Sequence, residues 1–373
     1  MPSQEPLLLT PGPLTTSART KQAMQRDWGS RDGAFIALTA RVRQRLTALA
    51  RAEADHVCVP LPGSGTSAVE AMLGTMAPRD GRTMVLVNGA YGRRIAEILK
   101  CIGRPFEAIE SAENLPLDAE DMAQRLDADS RISDVVMVHC ETTSGVLNPL
   151  EDIAEAVARR GRRLLVDAMS SFGAIPINAE QTVFDGLAAS ANKALEGVPG
   201  MAFVLARRAR LEDCGDNSHS LSLDLHAQWQ GFEKNGQWRF TPPTQVLAAL
   251  DSALDQLDAE GGIGGRFARY WENCRTLVSG MRALGFETYI PDDTQAPIIV
   301  TFHLPRDPAF EFGAFYDALA GHGYLIYPGK LTGDPSFRIG CIGDIRATDM
   351  ENLLAVIGAV LDERGVRMTG EGK

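Results

Sequence analysis

Between about residues 55 and 210, short apolar runs alternate with longer segments in which apolar residues recur at helical spacing. Four apolar runs, each bounded by glycine or polar residues, predict buried strands: Met84–Val87, Val135–Val138, Leu164–Val166 and Ala202–Leu205. Helices are predicted in the same region at Ser67–Met76 and Glu151–Arg159. This alternation predicts an α/β fold with a mostly parallel sheet covered by helices on both faces.

The pattern changes after the long helical segment Gln245–Ala259, which is followed by the glycine-rich break Glu260–Gly265. Beyond it, helices are predicted at 266–284, 311–321 and 348–363, and strands near 298–301 and 337–339. That mixture predicts a second, smaller α+β domain. The segment Leu8–Leu14 is expected to be extended because its prolines oppose a helix, and Thr369–Lys373 is predicted to be disordered.

Polar residues follow three of the predicted strands: Asn88–Tyr91, His139–Thr143 and Asp167–Ser170. In open α/β sheets, ligands bind outside the carboxyl ends of the strands. We therefore expect these segments to converge on one ligand site.

Composition narrows the possible partners. The 373 residues are 45% hydrophobic and 23% charged, as in ordinary globular proteins, and the net charge is −11. Such an acidic chain is not expected to bind nucleic acid, which needs a basic surface. No apolar stretch approaches the ~20 residues that span a bilayer, so neither a membrane partner nor a location outside the cytoplasm is expected. The six cysteines show no CxxC pair, and neither zinc nor disulfides are predicted; buried thiols are expected instead.

Lys193 lies in the small-residue stretch Ser190–Gly200, downstream of Asp167 at the end of a predicted strand. Burial lowers the pKa of a lysine and supplies the neutral amine that covalent catalysis requires. Asp167 could keep a heteroaromatic ring nitrogen protonated. The competing interpretations are a surface lysine in a glycine-rich turn, and an aspartate that caps Ser170 or Ser171.

The segment Gly63–Ser67 precedes the helix predicted at Ser67–Met76. Glycines, hydroxyls and a helix N-terminus together form a candidate phosphate cup. The segment is not a Walker loop, and an ordinary glycine turn remains an alternative. An α/β oxidoreductase that binds a nucleotide here is disfavoured, because the dinucleotide fingerprint is incomplete and no ribose-binding acid lies ~20 residues downstream.

Four further side chains are candidates for ligand contacts. Tyr91 could stack on a planar ring, although an aromatic residue in a loop more often simply packs, and Thr142 and Asn192 could donate to ring substituents. Arg338 interrupts an apolar strand, where it could clamp a substrate carboxylate or form a structural salt bridge.

The glycine cup, the strand-end aspartate and the lysine, in this order, are what pyridoxal 5′-phosphate requires, and the chain resembles the class V aminotransferases of fold type I. The similarity runs through nearly the whole sequence, at Leu7–Thr16, Asp167–Gly173, Gly197–Gly200, Ser220–Leu225, Trp238–Thr244 and Tyr327–Lys330. It implies a large domain with a mostly parallel seven-stranded sheet and a smaller α+β C-terminal domain. The expected boundaries are an arm at 1–20 that joins the active-site entrance, a large cofactor-binding domain at 21–258 and a small domain at 259–373.

The resemblance also implies roles for individual residues. Lys193 is expected to bind pyridoxal 5′-phosphate covalently and to shuttle a proton, with Asp167 as partner of the ring nitrogen. Tyr91 occupies the ring-stacking position. The remaining cofactor contacts implied are Ser64, Gly65 and Thr66 in the phosphate cup, Thr142 at the ring hydroxyl and Asn192 beside the cofactor.

Three implied roles concern substrate and assembly. Arg338 matches a substrate-anion arginine, and Gly12 is expected to line the entrance. Thr241 matches a residue that reaches the phosphate of a neighbouring subunit, which implies a homodimer with shared sites.

The expected activity within this family is transfer of the amino group of 2-aminoethylphosphonate to pyruvate, in phosphonate catabolism. The alternative is an alanine- or serine–glyoxylate aminotransferase. Because a phosphonate carries more negative charge than a carboxylate, its pocket should need extra cations. The candidates for these are Arg31, Arg93, Arg94 and Lys330.

Overall fold

A computed structural model describes residues 5–368 of the chain. Its α-helices are α1 Ala18–Gln22, α2 Gly33–Leu49, α3 Gly65–Met76, α4 Ala90–Cys101, α5 Ala119–Ala128, α6 Leu150–Arg159, α7 Arg208–Glu212, α8 Leu225–Asn235, α9 Thr244–Ala259, α10 Gly262–Ala283, α11 Phe312–Gly321 and α12 Ala347–Glu363. Its strands are β1 Leu7–Leu8, β2 His56–Pro62, β3 Arg82–Val87, β4 Phe106–Glu110, β5 Ile132–Val138, β6 Cys140–Glu141, β7 Val146–Leu147, β8 Arg163–Asp167, β9 Gly186–Ser190, β10 Met201–Arg207, β11 Ile299–His303, β12 Tyr324–Leu325, β13 Tyr327–Pro328 and β14 Ser336–Gly340.

The central sheet has seven strands in the order β2-β10-β9-β8-β5-β3-β4. Only β10 runs antiparallel to its two neighbours, so the sheet is mostly parallel, as predicted. Alternate residues of β3 face two different cores: Met84 and Leu86 pack in one, and Val85 and Val87 in the other. Both faces of the sheet are therefore buried, which explains why its strands are continuous apolar runs.

All four strands predicted from apolar runs lie in this sheet, and its other three strands, β2, β4 and β9, were not predicted. The weakest strand signal of the three is that of β9. Its sequence, Gly-Leu-Ala-Ala-Ser, contains no β-branched residue. A glycine is needed at its start because a Cβ at Gly186 would lie 2.9 Å from Leu165 and 3.1 Å from two methionine sulfurs. Helices packed closely on the sheet thus select small residues that carry no strand signal of their own.

A second sheet, β11-β14-β13, forms the C-terminal part of the fold. Its core is rich in phenylalanine, with Phe286, Phe302 and Phe337 in mutual edge or stacked contact. Helices α10 and α12 contain core residues of the same cluster. The smaller α+β unit predicted after the glycine break is present, and α10 begins at Gly262, where positive φ angles at Gly261 (99°) and Gly262 (70°) turn the chain.

The N-terminal segment joins this smaller unit. Strand β1 pairs in parallel with β12, Leu7 opposite Tyr324, and the backbone N–H of Gly340 donates to the carbonyl oxygen of Leu9 at 2.8 Å. The segment then continues without helix to α1, as its prolines predict. The domain boundaries at 20 and 258 stay predictions.

Five of the six cysteines are buried, as expected, whereas Cys101 is exposed at the end of α4. Within residues 5–368, no helix has the length and apolar character needed to cross a membrane. The predicted disorder of Thr369–Lys373 concerns residues outside the described range.

Candidate active site

A cavity of 460 Å³ opens where β2, β5, β8 and β9 end. These are carboxyl ends on one edge of the central sheet, as the strand-end argument predicted. Nine of the predicted site residues line this single cavity: Gly12, Ser64, Gly65, Thr66, Tyr91, Thr142, Asp167, Asn192 and Lys193.

Lys193 follows β9 and directs its side chain into the cavity. Its Nζ donates to the carbonyl oxygens of Pro11, at 2.8 Å, and Gly12, at 3.1 Å. Burial lowers the pKa of Lys193; the negative charges of Tyr91 and Asp167 oppose this shift, and the positive charges of Arg338 and Arg94 add to it, so that the pKa is lowered. The interpretation as a surface lysine is therefore wrong.

Gly12 is a glycine for a local reason. Its φ is 107°, and a Cβ there would lie 2.5 Å from the carbonyl oxygen of Asn192 and 2.7 Å from Cδ of Lys193. Only a residue without a side chain allows the N-terminal segment to approach the lysine this closely.

Asp167 is the last residue of β8 and is 6% exposed. One carboxylate oxygen accepts a hydrogen bond from the backbone N–H of Met169 at 2.9 Å, and the side chain caps neither Ser170 nor Ser171. Burial raises the pKa of Asp167 to about 6, and the nearby charge of Glu141 contributes to the rise.

The predicted cup lies at the start of α3. The hydroxyl of Ser64 accepts from the backbone N–H of Ser67 at 3.4 Å, whereas the N–H groups of Gly65 and Thr66 have no acceptor within residues 5–368. A Cβ at Gly65 would lie 2.4 Å from the sulfur of Met169. Free N–H groups at the N-terminus of a twelve-residue helix favour an anion.

Tyr91 is carried by α4, whose N-cap residue, Gly89, has no side chain to satisfy the first N–H groups. The carboxylate of Glu141 caps this end of the helix instead, accepting hydrogen bonds from the backbone N–H groups of Tyr91 at 3.2 Å and Gly92 at 3.3 Å. The hydroxyl of Thr143 accepts from the backbone N–H of Ala90 at 2.9 Å. Glu141 thus holds Tyr91 through the backbone. Glu141 was predicted only as one of the polar residues at a strand end, without this role.

Arg338 reaches the site from β14 and is 4% exposed. Its Nη1 donates to the carbonyl oxygen of Thr142 at 2.7 Å and its Nε to that of Pro328 at 3.1 Å. Burial lowers the pKa of Arg338. No carboxylate within residues 5–368 forms an ion pair with it, so the structural salt bridge considered as an alternative is not found.

The four candidate cations differ in their exposure, their pairing with carboxylates and their position relative to the cavity. Arg31 is exposed and outside the cavity, and Arg93 is paired with Glu113. Arg94 lines the cavity and donates from Nη1 to Thr66 Oγ1 at 3.3 Å. The Nζ of Lys330 lies 4.2 Å from the centre of the Tyr91 ring.

Thr241 and Arg338 are the two predicted site residues that do not line the cavity. Thr241 is exposed, next to Phe240, which is 47% exposed. Its contact with a second subunit, and the shared site, stay predictions.

Ser190 was not among the predicted site residues, yet it lines the cavity at the end of β9. Its buried hydroxyl has no hydrogen-bond partner in the described part of the chain. A buried hydroxyl that faces a cavity in this way is available to a ligand.

A buried charge cluster lies behind the lysine and was also missed. We call it the rear cluster; it consists of Glu196, Glu260, Arg266, Arg269 and Tyr270. Nη1 of Arg266 donates to the carbonyl oxygen of Ala194, next to Lys193, at 2.6 Å, and its Nε lies 2.6 Å from Glu260. Glu196 accepts from Arg269 at 2.8 Å and from the Tyr270 hydroxyl at 2.6 Å. These bonds tie the segment that follows Lys193 to helix α10.

Comparison with known proteins agrees with this geometry. The chain is 54% identical over 362 residues to the 2-aminoethylphosphonate–pyruvate transaminase of Pseudomonas fluorescens, covering 97% of this chain and 98% of that protein. It is 55% identical over 358 residues to the enzyme of the same name from Pseudomonas aeruginosa, covering 96% of each.

Solved structures share the fold. Ureidoglycine–glyoxylate aminotransferase from Bacillus subtilis superposes with a TM-score of 0.90 at 22% identity, covering 100% of this chain and 96% of that one. Pyridoxamine–pyruvate aminotransferase from Mesorhizobium loti gives 0.89 at 23% identity, covering 99% and 95%. The fold predicted from the resemblance is confirmed. The class-V aminotransferase model matches residues 16–315, and with the relatives above it shows that the chain belongs to the class-V aminotransferase family.

Proposed function

We propose that the cavity binds pyridoxal 5′-phosphate, the cofactor on which this family depends. Three observations fit the group: the free N–H donors of Gly65 and Thr66 suit a phosphate, the buried carboxylate of Asp167 suits a protonated ring nitrogen, and Lys193 offers an amine. The buried hydroxyl of Ser190 adds an unused donor. When bound, the cofactor supplies an electron sink for the carbon that loses a proton.

Lys193 carries the proposal. Its depressed pKa favours the neutral amine, which can take a proton from the substrate carbon and return it to another. The carbonyl oxygens of Pro11 and Gly12 orient Nζ within the cavity. Asp167 contributes a fixed negative charge on the side where a protonated ring nitrogen would be stabilised.

We infer that the reaction is amino transfer from 2-aminoethylphosphonate to pyruvate, giving phosphonoacetaldehyde and L-alanine with ping-pong kinetics. Support comes from relatives of that name at 51–55% identity over nearly the full chain. Arg338, buried and without an acidic partner in residues 5–368, is suited to hold the anionic tail of either substrate. The cytoplasmic location and the homodimer with Thr241 at a shared site remain proposals.

The test is formation of alanine and aldehyde from 2-aminoethylphosphonate and pyruvate by the purified protein. Lys193→Ala should lower the rate by about 10²- to 10⁴-fold or more, because it removes the group that moves the proton. Lys100→Ala is the matched control, since Lys100 is exposed at the far end of α4.

Two outcomes would contradict the proposal. One is Lys193→Ala turning over at the wild-type rate. The other is a wild-type half-reaction that is faster with alanine or serine than with 2-aminoethylphosphonate, which would favour the alanine- or serine–glyoxylate alternative. A yellow protein that borohydride bleaches would support the cofactor assignment independently of turnover.

A further inference from the structure

Three cations surround Tyr91 at the cavity. The guanidinium carbon of Arg94 lies 4.8 Å from the ring centre and the Nζ of Lys330 lies 4.2 Å from it. Arg338 is bonded to the backbone of Thr142, which also lines the cavity. Within residues 5–368, none of the three forms an ion pair with a carboxylate, although the chain as a whole is acidic.

Two of these cations already have defined contacts. Arg94 bonds Thr66 in the cup, where a cofactor phosphate would bring negative charge. Arg338 is fixed by two carbonyl oxygens, and its remaining guanidinium donors can hold one planar anion. Lys330 is half-buried and donates no hydrogen bond to any described residue. It is a positive charge with its donors unused.

Other contacts keep Lys330 near the cavity. Glu113 accepts from the backbone N–H of Thr332 at 3.0 Å and pairs with Arg93 of α4. The backbone N–H of Gly329 donates to the carbonyl oxygen of Ser336 on β14 at 2.9 Å. The loop that carries Lys330 is thus tied to the helix of Tyr91 on one side and to the strand of Arg338 on the other.

The ammonium of Lys330, 4.2 Å from the centre of the Tyr91 ring, also acts on the Tyr91 hydroxyl. Burial raises the pKa of Tyr91, but the charges of Lys330, Lys193 and Arg338, together with a hydrogen bond to Thr142, lower it below its usual value. Lys330 and Lys193 act on the same hydroxyl, and the positive charge therefore extends from the amine that reacts to the loop at residue 330.

The two proposed substrates differ in the anion that they present. Pyruvate carries a planar carboxylate with one charge, which a single arginine satisfies through two parallel hydrogen bonds. A phosphonate is tetrahedral, has a third oxygen and approaches two charges near neutral pH. Its extra oxygen and charge require a second cation that a carboxylate does not need.

We propose that Lys330 is this second cation: it binds the phosphonate of 2-aminoethylphosphonate together with Arg338 and distinguishes that substrate from carboxylate donors. The assignment rests on the proposed function. It makes Lys330 a specificity-determining residue. Its charge contributes to substrate binding in the phosphonate half-reaction and contributes little in the pyruvate half-reaction.

The experiment compares both half-reactions of the cofactor-loaded enzyme in Lys330→Met, Lys330→Arg and the control Lys100→Met. With Lys330→Met, KM for 2-aminoethylphosphonate should rise about 10- to 100-fold, as expected for loss of one charge-assisted hydrogen bond, and KM for pyruvate should change less than about 3-fold. Lys330→Arg should recover most of the loss because it keeps the charge. Lys100→Met should match the wild type.

Binding measurements with anions that cannot react test the same assignment without turnover. Calorimetry with ethylphosphonate and propionate, which lack the amino group, should show about 10-fold or greater weakening of ethylphosphonate alone in Lys330→Met. Equal changes for both anions, or none for either, would overturn the assignment of Lys330 and leave the proposed function intact. A wild-type enzyme inactive with 2-aminoethylphosphonate would instead overturn the proposed function, so the two failures are distinguishable.

Discussion

Two charged regions lie on either side of Lys193, and they differ in whether their cations are paired with carboxylates. In front of it, Arg94, Lys330 and Arg338 approach the cavity without an acidic partner in residues 5–368. Behind it, in the rear cluster, each arginine meets a glutamate and the carboxylates accept further hydrogen bonds. Arg266 there is 1% exposed, whereas Lys330 is half-buried beside the ring of Tyr91.

The difference distinguishes charges that position the chain from charges that await a ligand. A buried ion is tolerated only when its partners are complete, which holds for the rear cluster. An unpaired cation beside a cavity can bind an anionic substrate or cofactor. The pairing state of each charge, rather than its sequence position, therefore indicates its part in the site.

The largest effect on stability is expected for Arg266→Met. One arginine, Arg269, then faces the two carboxylates of Glu196 and Glu260, and the buried carbonyl oxygen of Ala194 loses its donor. The uncompensated buried charge costs about 3–5 kcal/mol in the free energy of unfolding. Denaturant unfolding measures it. A loss below about 1 kcal/mol would mean that the rear cluster is not the rigid support inferred here.

An intermediate effect of opposite sign is expected for Asp167→Asn in the cofactor-free protein. The pKa of Asp167 is raised to about 6 in the folded chain, above the ~3.9 of an unfolded aspartate. Its protonated form is therefore favoured by folding, and stability is full below pH 4 and is lost as the pH rises through 6.

Asparagine removes that dependence and should stabilise the cofactor-free protein at pH 7.5 by an amount on the order of 2–3 kcal/mol. Unfolding curves collected between pH 4 and 7.5 measure both the gain and the slope. An unchanged slope between pH 4 and 6 would contradict the raised pKa, and Asp152→Asn, at an exposed position in the first turn of α6, is the matched control.

The smallest effect is expected for Arg282→Met. The Arg282–Asp292 pair has the same geometry as those of the rear cluster, 2.6 Å between Nη2 and Oδ1, but its side chains are 42% and 69% exposed. Solvent screens such a pair, and its loss should cost about 0–1 kcal/mol. Raising the salt concentration should shrink the effect further, whereas the cost of Arg266→Met should hardly change.

Much of the site could be predicted because its chemistry is local in sequence. Lys193, Asp167 and the Ser64–Thr66 cup lie at strand or helix ends, and one edge of a parallel sheet brings such ends together. The selection of Arg94 and Lys330 over Arg31 and Arg93 could not be predicted. It depends on which carboxylates pair with each cation in three dimensions, as Glu113 does with Arg93.

The fold shows the same limit. Four strands of the central sheet were located from their apolar runs, whereas β2, β4 and β9 were not predicted. At β9, close helix packing selects glycine and alanine, which carry no strand signal. The rear cluster was also invisible, since Arg266 contacts Ala194 across a long stretch of chain. Glu141 could be found at a strand end, but its role as the cap of α4 depends on the fold.

The pairing of β1 with β12 has a consequence for the order in which the site is completed. Residues 7–12 are synthesised long before their neighbours at Tyr324, Leu325 and Gly340. Until those residues emerge, the carbonyl groups of Pro11 and Gly12 have no scaffold to hold them against the lysine amine. A nascent chain therefore carries Lys193 before it can orient the amine, which requires that residues 324–340 have also been synthesised.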